Sequence, residues 1–133
     1  DNHVLVLGAG PVGMAAARAL IGFGADVFIH DKDMVNCRNN CAVVKKKLGI
    51  EIKPVHNLSS LHKNFCFFIE ATNARDVINS AMIGQKTCIA APGVPLGVTR
   101  NGMIKAGNRV LYDPLQLGTA AMAIGAAFPL NRG

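Results

Sequence analysis

The chain has 133 residues, half of them hydrophobic, with few aromatics and no Trp. That is enough to close one ordinary α/β core and leaves no room for a second. The net charge of +6 does not indicate nucleic-acid binding. Apart from Lys45, Lys46 and Lys47 the cations are scattered, and no aromatic residues alternate with them to make a stacking face. Those three lysines fall in the last turn of a predicted helix, where cations complement the helix dipole.

Strand and helix patterns alternate from end to end, which predicts a Rossmann-type, doubly wound parallel sheet of about six strands with flanking helices. His3 to Leu7 is an unbroken apolar run, the mark of a strand buried on both faces. A glycine-rich turn leads into a helix from about Pro11 to Phe23, stopped by Gly24. The second strand, Asp26 to His30, ends at Asp31. A second helix is expected from Met34 to Leu48, stopped by Gly49. Ile50 to Val55 reads as the third strand, and His56 to Asn64 as a loop or short helix. Phe65 to Ala71, apolar apart from Glu70, is the fourth strand. Arg75 to Ile83 reads as helical, with Gly84 as its end signal. Thr87 to Ala91 is the fifth strand, followed by a loop rich in Pro and Gly. A short helix near Thr99 to Ala106 and a sixth strand over Arg109 to Tyr112 follow. Asp113 then caps a closing helix with Pro114 in its first position. This divides the chain into a nucleotide-binding unit over 1–113 and a C-terminal helix over 114–130.

The decisive motif is Gly8-Ala9-Gly10-Pro11-Val12-Gly13. G-x-G-x-x-G alone is common, but here it leaves a buried strand and opens a helix, as a dinucleotide fingerprint requires. Gly8 suits the tight turn, Gly10 lets backbone approach a pyrophosphate, and Gly13 lets the helix pack close to the sheet. Pro11 and Val12 sit between them in the same cofactor-binding turn. The phosphates would meet free N–H groups at the positive end of the helix dipole. Asp31 ends the second strand where an acidic side chain accepts both hydroxyls of the adenosine ribose. Its charge repels a 2′-phosphate, which favours NAD over its phosphorylated form and places FAD well behind. Lys32, beside it, is read as a solvated loop residue at the edge of the site.

Two further loops should approach the nicotinamide, because parallel sheets bind ligands at the carboxyl ends of their strands. Ala71, Thr72 and Asn73 follow the fourth strand with small polar groups. Pro92 and Gly93 follow the fifth, with Pro95 and Leu96 on the substrate side. Asp113 and Gln116 are expected to face substrate from the start of the closing helix. No Ser-His-Asp grouping, metal-ligand spacing or pair of carboxylates marks a catalytic centre, so the catalytic residue is left unassigned and no metal is expected. His3, His30, His56 and His62 have no neighbours that give them a role. Cys37 and Cys41, one helical turn apart, read as partly buried thiols, and Cys66 and Cys88 as strand-core residues.

Pro92-Gly93-Val94-Pro95-Leu96-Gly97 and Tyr112-Asp113-Pro114-Leu115-Gln116-Leu117-Gly118 resemble the cofactor domain of the pyrrolysine-biosynthesis dehydrogenases. The resemblance implies an NAD-binding domain that follows an N-terminal helical domain. It also implies oxidation of the terminal amine in the ornithine part of lysine-Nε-3-methylornithine, with the two late motifs bordering the reaction centre. Shikimate-type dehydrogenases share the pattern more loosely, through Glu70-Ala71-Thr72-Asn73 and Gln116 to Met122. A non-catalytic NAD-binding regulatory module is the alternative from another class, although it would not need the proline-rich fifth loop.

The expected partners are an amino-acid-like small molecule and an N-terminal substrate domain of the same polypeptide, with a homodimer left open. Neither nucleic acid nor membrane is expected, since there is no signal peptide and no apolar run long enough to span a bilayer. Four cysteines without C-x-x-C pairing fit a reducing, cytoplasmic compartment. A chain that starts at Asp1 and enters a strand within two residues reads as a domain cut from a longer polypeptide.

Overall fold

A computed structural model describes residues 2–58, 65, 67–72, 77–84, 87–91 and 98–111. Six parallel strands form one sheet: β1 (His3–Leu7), β2 (Asp26–His30), β3 (Lys53–Pro54), β4 (Phe67–Glu70), β5 (Cys88–Ala90) and β6 (Val110–Leu111). Their order is β3-β2-β1-β4-β5-β6, which is the doubly wound Rossmann arrangement. The order reverses between β1 and β4, where Leu7 lies level with Glu70. Chains leaving these two strands turn in opposite directions, and a crevice opens between them at the carboxyl ends.

Helices α1 (Pro11–Gly22) and α2 (Met34–Leu48) cover one face. There Val4, Val6, Val27 and Ile29 meet Ala17 and Leu20 of α1, and Met34, Cys37 and Cys41 of α2. Short α3 (Arg100–Ala106) lies against the other face, among Leu5, Phe68, Ile78, Ile89 and Val98. Strands buried on both sides must be apolar at every position, which is why β1 reads as a continuous run. Asp33 caps α2 by accepting the Asn36 N–H at 3.1 Å, and Gly49 ends it in a left-handed conformation at φ 67°. Thr99 caps α3 in the same way through the Gly102 N–H. At the amino ends of the strands, Asp26 pairs with Lys53 at 2.7 Å and with His3 at 3.2 Å, tying edge strand β3 to β2 and β1.

The structure corrects several boundaries. The helix expected over Arg75 to Ile83 is not formed by its described residues, 77–83. Ile78 is fully buried and makes a parallel bridge to Val98, and its carbonyl accepts the Thr99 N–H at 2.8 Å. The Asn79 side chain then accepts the Ala81 N–H, so only the 3-10 turn Ser80–Met82 follows. An Asn that bonds its own backbone competes with helix formation at that point. The third strand contracts from Ile50–Val55 to Lys53–Pro54, a Pro on the sheet edge where its missing N–H costs least. The fourth strand ends one residue earlier than expected, at Glu70, the fifth is two residues shorter, and the sixth begins one residue later, at Val110. The closing helix with Asp113, and Cys66, lie outside the described residues. No helix among the described residues is long and apolar enough to cross a membrane.

Cys37 and Cys41 are both buried. Burial, then the facing Cys41 thiol and the negative charge of Asp31, pushes the Cys37 thiol up to about 12, and burial also raises Cys41. Thiolates are the reactive form, so both should stay unmodified by iodoacetamide at pH 8 in the folded chain and react fully in urea. Peptide mapping by mass spectrometry checks this. Rapid native labelling of Cys37 would show that α2 does not pack as described. The sign of the linkage is fixed too. The folded state holds this proton more tightly, so stability present below pH 9 declines as pH rises from 9 toward about 12.

Candidate functional site

The first turn of the site is built by close approach. Gly8 has φ +107°, its N–H donates to the His30 carbonyl at 2.8 Å, and a Cβ there would meet the Ala71 carbonyl oxygen at 2.6 Å. Only glycine combines that conformation with that contact. Gly13 lies one turn into α1, where a Cβ would stand 1.7 Å from the Gly8 carbonyl oxygen. Gly10 differs from both: it is extended, at φ −77° and ψ −171°, and among the described residues nothing beyond its chain neighbours lies within 4 Å of the position its Cβ would take. The middle glycine therefore leaves space that the described residues do not fill. In contrast to α2 and α3, α1 starts without a side-chain cap, and like them it has no acidic residue in its first turn. No side chain of that turn offsets the partial positive charge at its start.

Asp31 flanks this turn. Its Oδ2 accepts the Ala9 N–H at 2.8 Å and its Oδ1 accepts the Asp33 N–H at 3.0 Å. A carboxylate offers about four lone-pair sites, so both oxygens retain capacity for a ligand hydroxyl. A cleft of about 390 Å³ opens here, at the switch point between β1 and β4. It gathers Gly8, Gly10, Asp31, Lys32, Ala71 and Thr72 from the sequence-derived set, and Leu7, Leu58 and Val77 add apolar walls. Pro11 and Val12 begin α1 but do not line the cleft. Val12 is 59% exposed, and Gly13 acts through its contact with Gly8. Asn73, Pro92, Gly93, Pro95, Leu96, Asp113 and Gln116 lie outside the described residues.

Three contributors lie outside the set of site residues assigned from the sequence. His30 lines the cleft while its Nδ1–H donates to the Val55 carbonyl at 2.7 Å, which fixes the ring and leaves Nε2 as the second nitrogen. Asn40 of α2 donates from Nδ2 to the Ala9 carbonyl at 2.9 Å. Glu70 is fully buried; its Oε1 accepts the Thr72 N–H at 2.8 Å and also the Thr72 hydroxyl. Its Oε2 is buried and has no hydrogen-bond partner among the described residues. Glu70 was visible only as the polar break in an apolar strand; its grip on Thr72 was not. Glu70→Ala should remove the acceptor shared by two half-buried Thr72 donors and open a cavity, lowering stability by about 2–3 kcal/mol. Urea melts measure this, and an unchanged midpoint would mean that Thr72 finds other acceptors. Among the described residues no group of three or more His, Cys, Asp or Glu converges on a metal position.

Residues 1–92 match the family described as Alanine dehydrogenase/PNT, C-terminal domain. The chain belongs to that family. It is thus a dehydrogenase-family domain, and the Rossmann architecture expected from its sequence is the one observed. This alanine dehydrogenase/PNT-type domain is 29% identical over 123 residues to a pyrrolysine synthase of Methanosarcina acetivorans. The match covers 92% of this chain and 44% of the relative, so the resemblance read in the late motifs extends along nearly the whole sequence. A glutamyl-tRNA reductase of Campylobacter jejuni is 36% identical over 80 residues, 59% of this chain and 18% of that protein. Among solved structures, quinate dehydrogenase from Corynebacterium glutamicum, in complex with NAD, superposes with a TM-score of 0.69. It is 18% identical, and the match covers 96% of this chain and 50% of that one. The chain spans less than half the length of these curated relatives.

Proposed function

We propose that this domain holds NAD for an oxidoreductase that acts on an amino-acid-like amine, as the likeness to pyrrolysine synthase suggests. The observation that carries the cofactor reading is the unfilled space over Gly10 at the uncapped start of α1, with Asp31 beside it. Phosphate oxygens are the natural occupants of such a place, because backbone N–H groups and the helix dipole both favour an anion there. In this reading Gly8 to Gly13 hold the pyrophosphate and Asp31 accepts the adenosine ribose hydroxyls. Ala71 and Thr72 border the nicotinamide half, and Lys32 stays at the solvent edge. NAD, when bound, supplies the hydride acceptor. The chain's own residues bind it, orient it against the β1–β4 crevice and keep Thr72 in a fixed rotamer through Glu70.

Asn73, Pro92 and Gly93 complete the cofactor side of the proposal, and Pro95, Leu96, Asp113 and Gln116 the substrate side. The longer relatives support a separate substrate domain, placed N-terminal in this proposal, in a cytoplasmic enzyme. Isothermal titration of the 133-residue chain with NAD tests the reading: saturable one-to-one binding is expected, and its absence would remove the proposal. The same chain, mixed with NAD and primary amines, should give no NADH absorbance above background, since it spans less than half the length of its curated relatives and the substrate groups are assigned to a separate domain in this proposal. Robust turnover would show that a catalytic group had been overlooked.

A further inference from the structure

Asn40 lies on α2, 31 residues from the turn it touches, and its Nδ2 donates to the Ala9 carbonyl at 2.9 Å. The acceptor is a carbonyl, so the side chain must present its NH₂ end. Ala9 is fully buried, and its own N–H is taken by Asp31 Oδ2 at 2.8 Å. The peptide units on both sides of Ala9 are therefore anchored. The Ala9 carbonyl and the Gly10 N–H belong to one planar trans peptide and point in opposite directions. Holding the carbonyl toward α2 turns the Gly10 N–H away from α2. The anchor is part of a ring. Asp31 Oδ1 accepts the Asp33 N–H, Asp33 caps α2 through the Asn36 N–H, and α2 returns Asn40 to Ala9.

We propose that Asn40 is a positioning residue of the dinucleotide site: by holding the Ala9 carbonyl it aims the Gly10 N–H at the pyrophosphate. The inference rests on the cofactor reading above and adds a specific residue outside the glycine motif. It also separates two halves of the ligand. Asn40 acts on the phosphate donor, whereas Asp31 acts on the ribose, so removing Asn40 weakens only ligands that carry the pyrophosphate.

Asn40→Leu keeps the side chain's size and suits a helix, but has no donor. Asn40→Asp keeps the shape and sets a carboxylate against the carbonyl. Binding of NAD, ADP-ribose and adenosine to the whole chain should be compared by calorimetry, with thermal melts to verify folding. For both variants we expect NAD and ADP-ribose to bind on the order of tenfold more weakly, while adenosine changes less than about twofold. A parallel loss for adenosine would indicate a general structural effect and overturn the proposal, as would unchanged NAD binding in folded variants. If the wild-type chain binds no NAD, the cofactor reading fails separately. The positioning claim is then decided without ligand by ¹⁵N relaxation of the Gly10 amide. Its order parameter should fall in Asn40→Leu, and a Gly10 amide as rigid as in the wild type refutes the anchor.

Discussion

Gly13→Ala is expected to cost the fold about 3 kcal/mol or more and to lower the melting temperature by on the order of 10 °C. The added Cβ would lie 1.7 Å from the Gly8 carbonyl oxygen, so backbone, not a flexible side chain, must move. Moving it pushes α1 off the sheet and pulls Gly8 from the Ala71 carbonyl it already approaches closely. Gly10→Val is the opposite experiment within the same motif. Its extended backbone accepts a β-branched residue, and among the described residues nothing beyond its chain neighbours lies within 4 Å of the new Cβ position. Stability should change by no more than about 1 kcal/mol, the scale of an altered N-cap. NAD binding should nevertheless disappear, because the side chain occupies the approach of the pyrophosphate. Thermal melts and titration calorimetry on both variants give the pattern. If Gly10→Val still binds NAD with wild-type affinity, the open space over Gly10 is not the phosphate site.

That contrast shows what the sequence can and cannot reveal. G-x-G-x-x-G announces three glycines at one turn, and its setting between a buried strand and a helix identifies the turn correctly. The bounds of β1, β2 and α2 follow from the same kind of signal: continuous apolar runs, an Asp that caps, a Gly that stops. Which glycine is packed and which faces a ligand depends on how closely β1 and β4 approach, and no local pattern encodes that distance. Asn40 illustrates the same gap. It sits in the polar run Arg38-Asn39-Asn40, where one Asn looks like another until α2 is docked over Ala9. The error at residues 77–83 has a different origin. Arg75 to Ile83 reads as helical with Gly84 as its end signal, and nothing local marks Ile78 as a residue that pairs in the sheet. Ile78 and Ile83 in fact bury against the sheet face under α3, Ile78 through an extended bridge to Val98. Tertiary pairing overrode local preference there.

The second large effect concerns the choice between NAD and its 2′-phosphorylated form. Asp31 stands at the end of β2, its Oδ2 held by the Ala9 N–H of the glycine turn and its Oδ1 by the Asp33 N–H before α2. These bonds stiffen the carboxylate, so it meets the ribose in one orientation. A 2′-phosphate would replace a hydroxyl donor with a dianion near this charge, and an approach within about 4 Å costs on the order of 1–4 kcal/mol of repulsion per charge. The wild-type domain should therefore prefer NAD by at least about tenfold, and more at low salt, where screening is weaker. Asp31→Asn removes the charge but can still hold the Ala9 N–H through its amide oxygen. It is expected to weaken NAD by roughly tenfold and to narrow the preference to near unity, because Lys32 on the same rim then attracts the phosphate unopposed. Asp31→Ala should lose NAD affinity further and also reduce stability, since the Ala9 N–H is left without its acceptor. Competitive titrations of the two dinucleotides at two salt concentrations distinguish these outcomes. A wild-type domain that binds both forms equally, with no change in Asp31→Asn, would remove Asp31 from the ribose site and leave it only the role of anchoring the glycine turn.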